Sequence, residues 1–430
     1  MSPRKGIHIL LLGILLGSVG EPPSLATPVG GGASKPETPA EAQYRAGLDG
    51  LAKGDLKTAG EAFKESLRLD PKRVDALLGS ADVALKKGLV KEAGAYLQKA
   101  RSLAPSSVEV QTAWGRYLYA QKKLSEAETA FQKAIALNPQ AIVPRVDLGD
   151  LYLTALNKPK EAIESYRAAL SIAPTHAGAH YALGLALASS GEGDKAQAEL
   201  EEAGRLMPAN PLPFQAIGRL YVTRKEYDKA LESFAAALKA QPAFVQAYAD
   251  RGDVFLAKGE DGKALSEYMD ALKIAPKFVA AQVKIGMVHE RQQRANEAEQ
   301  AYRKAIELDP KQAVAYNNLA WLAVERKTNL DQAVTWAKKA VELAPQVSQF
   351  QDTLGWAYRA RGEADKALPV LEKAAAVKPE QPEILYHLGI VYAEKGKGKE
   401  AAATLNRALA LNKNFPGADD ARRRLEALGR

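Results

Sequence analysis

Small and large apolar residues recur along this chain with a fixed period, and between them the chain is polar and charged. With a unit of about 34 residues beginning at Ala40, the twentieth position is alanine every time, from Ala59, Ala93 and Ala127 through to Ala401. The eighth position is glycine in nine of eleven units (Gly47 to Gly389), with Ala81 and Ala320 as the exceptions. The twenty-seventh is alanine except at Ser66. Larger residues sit between them: Leu148, Leu183, Ile217, Ile285, Leu319, Leu354 and Leu388 at position 7, and Phe63, Phe131, Tyr166, Phe234, Tyr268 and Tyr302 at position 24. The apolar spacing follows a helical period twice per unit, so each unit predicts two helices. Gly54, Gly88, Gly191, Gly259, Gly362 and Gly396 mark the turn between the two.

A proline closes each unit from Pro71 and Pro105 to Pro345 and Pro379, at separations of 34 or 35 residues. Proline lacks an amide donor and clashes with the preceding turn, so it ends the second helix. Repetition at this period signals stacked helical hairpins rather than one compact core. Glycine inside a helix costs about 1 kcal/mol relative to alanine, so its recurrence at position 8 requires a steric reason: two helices crossing too closely for a side chain.

This pattern of small residues, large residues and proline resembles the tetratricopeptide repeat over residues 40–413. The resemblance implies an all-α fold, a right-handed superhelical solenoid of eleven hairpins. The 35-residue spacings place their extra residue at the turn between helices, Leu156 to Lys160 and Lys327 to Leu330. The last unit lacks its proline, having Lys413 instead, and residues 414–430 predict a capping helix. There Phe415-Pro416 leads into Asp419 and Asp420 in a first turn, followed by Ala421, Leu425 and Leu428 on one face.

In the resembled family, positions 2, 5, 9, 12 and 13 of the first helix line a concave groove. Here the early units place Asp75, Asp82, Glu109, Arg116, Tyr119, Asp150, Arg219 and Asp253 at such positions, with no single charge preference. Later units offer Asn317, Trp321, Asp352, Trp356, Arg359, Tyr386 and Glu394. Two tryptophans at one position of neighbouring repeats, beside an asparagine and a carboxylate, suit an extended peptide or stacking against sugar rings. The alternative is that Trp321 and Trp356 are partly buried between helices and stiffen the array.

No catalytic constellation is present, and no cofactor is implied. The sequence contains no metalloprotease helix motif, phosphate loop or nucleophile elbow. His176 and His180 lack a carboxylate at ligand spacing, so no metal is expected, and His289 at position 11 reads as a satisfied core histidine. The formal charge of +8 is distributed over alternating signs, a solvated surface that gives no reason to expect nucleic acid.

The N-terminus changes the picture most. Arg4 and Lys5 precede a thirteen-residue apolar run from Ile7 to Val19, followed by small residues. Such a run is too short to span a bilayer, which needs about 20 residues. Residues 1–20 are therefore expected to be a signal peptide, cleaved near Gly20 or Ala26. Residues 21–39, rich in Pro and Gly, are expected to form a flexible linker. With no cysteine for disulfide or lipid attachment, contact with a membrane is expected only through the signal segment or partners.

The combined expectation is a periplasmic or secreted scaffold that binds components of an envelope complex, similar to repeat proteins of exopolysaccharide export or outer-membrane assembly. Direct polysaccharide binding, or service as an adaptor subunit of an envelope enzyme, are the alternatives.

Overall fold

The computed structural model describes residues 37–429. The expected signal segment, and the linker as far as residue 36, lie outside the described residues. Among the described residues the chain forms twenty-three α-helices, α1 (Pro39–Ala52) to α23 (Ala418–Leu428), and no strand. The first twenty-two pair consecutively into eleven hairpins. They fall into two compact units that divide after Pro242. The first holds six hairpins; the second holds five and α23.

Both units repeat the same local chemistry. The residue before a repeat proline is extended, as at Asp70 (φ −134°, ψ 91°), Asn138 (φ −140°, ψ 99°) and Ala344 (φ −145°, ψ 72°). The proline ring excludes the helical conformation from its predecessor, so the helix stops there. Pro379 differs: α20 (Ala364–Ala375) ends four residues earlier, with Ala376 still helical.

Each hairpin turns through a residue of positive φ, and the ninth through a second one, Asn329 (φ 51°). Six are the glycines noted in the sequence; Lys122, Asn157, Lys225, Gln293 and Lys327 take the role in the other five. A side chain there is strained by the following carbonyl. Nothing lies within 4 Å of a β-carbon placed on Gly88 (φ +73°), so backbone strain alone sets the effect of filling it. Gly88→Ala is expected to lower stability by about 1 kcal/mol. Lys225→Gly is expected to raise it by less, because glycine frees the unfolded chain. Urea titration of the two variants checks the signs.

At the recurrent glycine of position 8 the two helices of a hairpin leave no room for a side chain. The large residue at position 24 of the same hairpin lies directly on it. A β-carbon on Gly115 would sit 2.5 Å from the Phe131 ring, and one on Gly286 would sit 2.4 Å from the Tyr302 ring. The two exceptions divide: the ninth hairpin pairs Ala320 with Ala337 in place of a large residue, whereas the second keeps the buried Leu97 at position 24 beside Ala81. The alanines at position 20 are all fully buried, as is Ser66, whose hydroxyl donates to the Ala40 carbonyl at 2.7 Å.

The two longer spacings are absorbed differently. The second lengthens the turn at Arg326 to Asn329, as its position predicts. The first does not. The last turn of α7 (Val143–Asp150) widens into a π-helical turn, Leu151–Ala155, closed by Leu156 N–H donating to the Leu151 carbonyl at 3.1 Å. One extra residue inside a helix is what a π-turn accommodates.

At the C-terminus, Phe415, Ala418 and Ala421 are buried against Leu385, Leu405 and Ala408 of the eleventh hairpin. Leu425 packs partly against them, whereas Leu428 remains exposed.

Candidate functional site

Within the first unit, the groove positions named from the sequence are largely tied up in contacts inside the protein. Asp75 pairs with Arg73 at 2.9 Å and Asp82 with Lys86 at 2.6 Å. Glu109 accepts from Ser107 at 2.6 Å, and Tyr119 shares a hydrogen bond with Thr154 at 3.0 Å. Arg116 forks onto Asp147 of the next hairpin with bonds of 2.6 and 3.1 Å. Arg219 also has a partner. Asp253, in the second unit, accepts from Tyr268 at 2.6 Å and pairs with Lys284 at 2.8 Å.

Asp150 stands apart. Its carboxylate is half-buried and accepts from the Tyr166 hydroxyl at 2.6 Å. Burial pushes its pKa up to about 7; Tyr166 opposes the rise, the Asp147 charge adds to it, and Arg116 opposes it weakly. The folded protein therefore binds this proton more tightly than the unfolded chain does. The contribution to stability falls as pH climbs from the ordinary aspartate value of 3.8 to about 7, then levels off. After discounting for partial exposure, the loss over that window is about 2 kcal/mol. In a pH series of urea unfolding, Asp150→Asn should remove this slope.

In the second unit, the residues named from the sequence come together around one that was missed. His387, on α21 (Pro382–Glu394), is 7% exposed. It stacks on Trp356 with ring centres 4.1 Å apart and planes 20° from parallel. Trp321 and Tyr386 lie tilted beside it at 5.9 and 5.6 Å. Its Nδ1 is 2.9 Å from both oxygens of Asp352, which is also 7% exposed. The first helices of three consecutive hairpins thus meet here: α17 (Ala313–Glu325), α19 (Ser348–Ala360) and α21.

Arg359 lies 4.2 Å from the centre of the Trp356 ring and forks onto Glu394 with bonds of 2.5 to 3.1 Å. With His387 stacked on the same indole, little of that ring's face is free. Trp321 and Trp356 both remain partly exposed. Tyr386 donates to Asp420 of α23 at 3.0 Å and packs against Phe415, so the terminal helix is tied to the cluster. Asn317 donates weakly to Asn318 at 3.3 Å, while its own Oδ1 is buried without a partner. The sequence signal for His387 was its distance from Asp352, 35 residues, one more than the local repeat, which places position 6 of one first helix beside position 5 of the one before.

His176 and His180 are held by contacts within the fold. His176 Nδ1 accepts from Ala179 N–H at 3.0 Å and caps a helix. His180 bonds to Glu199 at 2.7 Å and to the Pro174 carbonyl at 2.8 Å. His289 departs from expectation: its Nδ1 is buried with no hydrogen-bond partner. The apolar stretch of α15 (Val279–Arg291) around it offers none. Among the described residues no group of three or more metal-ligating side chains occurs.

The comparisons match this architecture. Tetratricopeptide repeat models match residues 50–115, 108–141, 153–220, 216–277, 278–346 and 353–419. No curated protein matches the chain. Among solved structures, a chain of the APC/C hetero-tetramer Cut9-Hcn1 aligns at 15% identity and TM-score 0.50, covering 91% of this chain and 96% of that one. Yeast Tom70 aligns at 13% identity and TM-score 0.48, covering 91% and 95%. A tetratricopeptide repeat protein from Parabacteroides merdae ATCC 43184 aligns at 20% identity and TM-score 0.46, covering 59% of this chain and 99% of that one. The alignment with Cut9-Hcn1 concerns the fold alone. With hairpins, phased small residues and repeat models in agreement along its length, the chain belongs to the tetratricopeptide repeat family.

Proposed function

We propose that this protein is an exported, non-catalytic scaffold of a bacterial envelope, which holds an extended segment of a partner protein on the first-helix face of residues 313–394. Repeats of this family commonly mediate protein–protein interaction. The observation that carries the reading is the cluster around His387. Trp321, Trp356 and Tyr386 surround His387 and stay partly exposed, Arg359 lies on the Trp356 ring, and buried Asp352 holds the His387 Nδ1, while Asn317 stands one turn before Trp321 on α17. A preformed patch of this kind avoids the entropy cost of ordering its own side chains when a segment docks. Sugar stacking is the less favoured use, because His387 and Arg359 already occupy the Trp356 ring.

Crosslinking in intact cells, followed by identification of the attached proteins, tests the scaffold. Trp321→Ala should reduce the attached set while leaving the fold intact; an unchanged set would count against this face. Export rests on the N-terminal segment alone. A native protein that retains Met1 would refute signal cleavage.

A further inference from the structure

Beside Trp321 the same face carries two carboxylates with no cation. Glu290 lies near the end of α15, and Glu325 is the last residue of α17. Both stand where the carbonyl ends of their helices are already partly negative, the unfavourable end for an acid. Neither takes part in an ion pair among the described residues. Three nearby cations are engaged elsewhere: Arg291 with Asp261 at 3.0 Å, Arg326 with Glu299 at 3.5 Å, Lys284 with Asp253 at 2.8 Å. Glu290 is fixed by the Tyr302 hydroxyl, which donates to it at 2.7 Å. Burial, and to a lesser degree the Glu325 charge, hold the Glu290 carboxyl above its ordinary range, with Tyr302 opposing.

The apolar surroundings are unusual too. Trp321 and Glu325 are one turn apart on α17 and share a face, as do Met287 and Glu290 on α15. Met287 is 37% exposed although apolar, and Trp321 is partly exposed. Each occupies position 9, where Asp82, Arg116, Asp150, Arg219 and Asp253 stand in other repeats. An exposed thioether and indole flanking uncompensated carboxylates suit a long side chain with an aliphatic stem and a positive end.

We propose that Met287, Glu290, Trp321 and Glu325 receive a lysine or arginine side chain projecting from an extended segment of a partner protein. The inference rests on the polypeptide-binding reading above and adds the chemistry of one contact. Charge complementarity selects the occupant: a cation neutralises the two carboxylates, and the indole and thioether cover its stem.

The test uses the purified full chain and an array of immobilised random decapeptides. Each peptide is paired with a version in which lysine is replaced by norleucine and arginine by citrulline. Binding peptides should lose about tenfold on neutralisation of one residue, and Glu290→Gln with Glu325→Gln should lose a similar factor and erase the difference. Peptides that need Trp321 but tolerate neutralisation would overturn this inference and leave the polypeptide face standing. If no peptide binds, both readings fail. A second measurement guards against a purely structural role: Glu325→Gln alone should raise the thermal midpoint at low salt, by relieving like-charge repulsion. A lowered midpoint would assign Glu325 to the fold and overturn the proposal.

Discussion

Gly286→Val is expected to lower the unfolding free energy by about 3 kcal/mol, the upper part of the range for overpacking a close-packed interior. The first added carbon alone would come within 2.4 Å of Tyr302, whose ring is fully buried and whose hydroxyl is committed to Glu290. Neither the ring nor the helix beneath it can yield without breaking a contact. The valine methyls add a further penalty through restricted χ1 freedom in a helix. Combining Gly286→Val with Tyr302→Ala should recover at least about 1 kcal/mol relative to the sum of the single effects, since contacting residues couple. At Ala320 the same reasoning reverses sign. With Ala337 opposite, no ring requires space, and Ala320→Gly should only lose about 1 kcal/mol of helix propensity. Urea unfolding, with hydrogen exchange read over residues 279–308, measures the size and place of these effects.

Asp352→Ala should destabilise the second unit by about 3 kcal/mol, because truncating one partner of a buried polar pair leaves the other unsatisfied. The orphan is His387, which would keep its stack on Trp356 but lose both contacts from Nδ1. The readout is specific. Trp321 and Trp356 flank His387, so their fluorescence should change with the folded baseline, before any unfolding transition. A variant that loses stability without that spectral change would mean the histidine is held by its rings alone.

Much of this architecture was legible in the sequence because it depends on local rules. The prolines end helices by excluding helical backbone one residue earlier, and that rule needs no tertiary information. The buried alanines at positions 20 and 27 were equally readable, since a small residue in fixed phase marks a close contact. The partner in that contact was not readable. Gly286 signalled missing space, but only the structure shows that Tyr302 of the same hairpin fills it. The first insertion was misplaced for a similar reason: a loop and a π-turn absorb one residue equally well, and the choice falls to packing around Leu151 and Tyr152. His387 escaped notice because its partners lie one repeat away, where a single-repeat pattern does not look. The six turn residues with side chains at positive φ carried no glycine signal at all.

The farthest-reaching hydrogen bonds named above, from Asp352 to His387 and from Arg359 to Glu394, span only 35 residues. Among the described residues these bonds join neighbouring hairpins, and the Trp321–His387 ring contact spans no more than two repeats, so the entropy of loop closure does not grow with the length of the protein. Low contact order of this sort goes with fast folding. A hairpin can therefore complete its ring-on-glycine core soon after its residues are free, without waiting for the C-terminus. For a chain delivered end-first, from a ribosome or through a narrow channel, assembly would proceed in the order of delivery, leaving only the newest hairpin with an uncovered apolar edge.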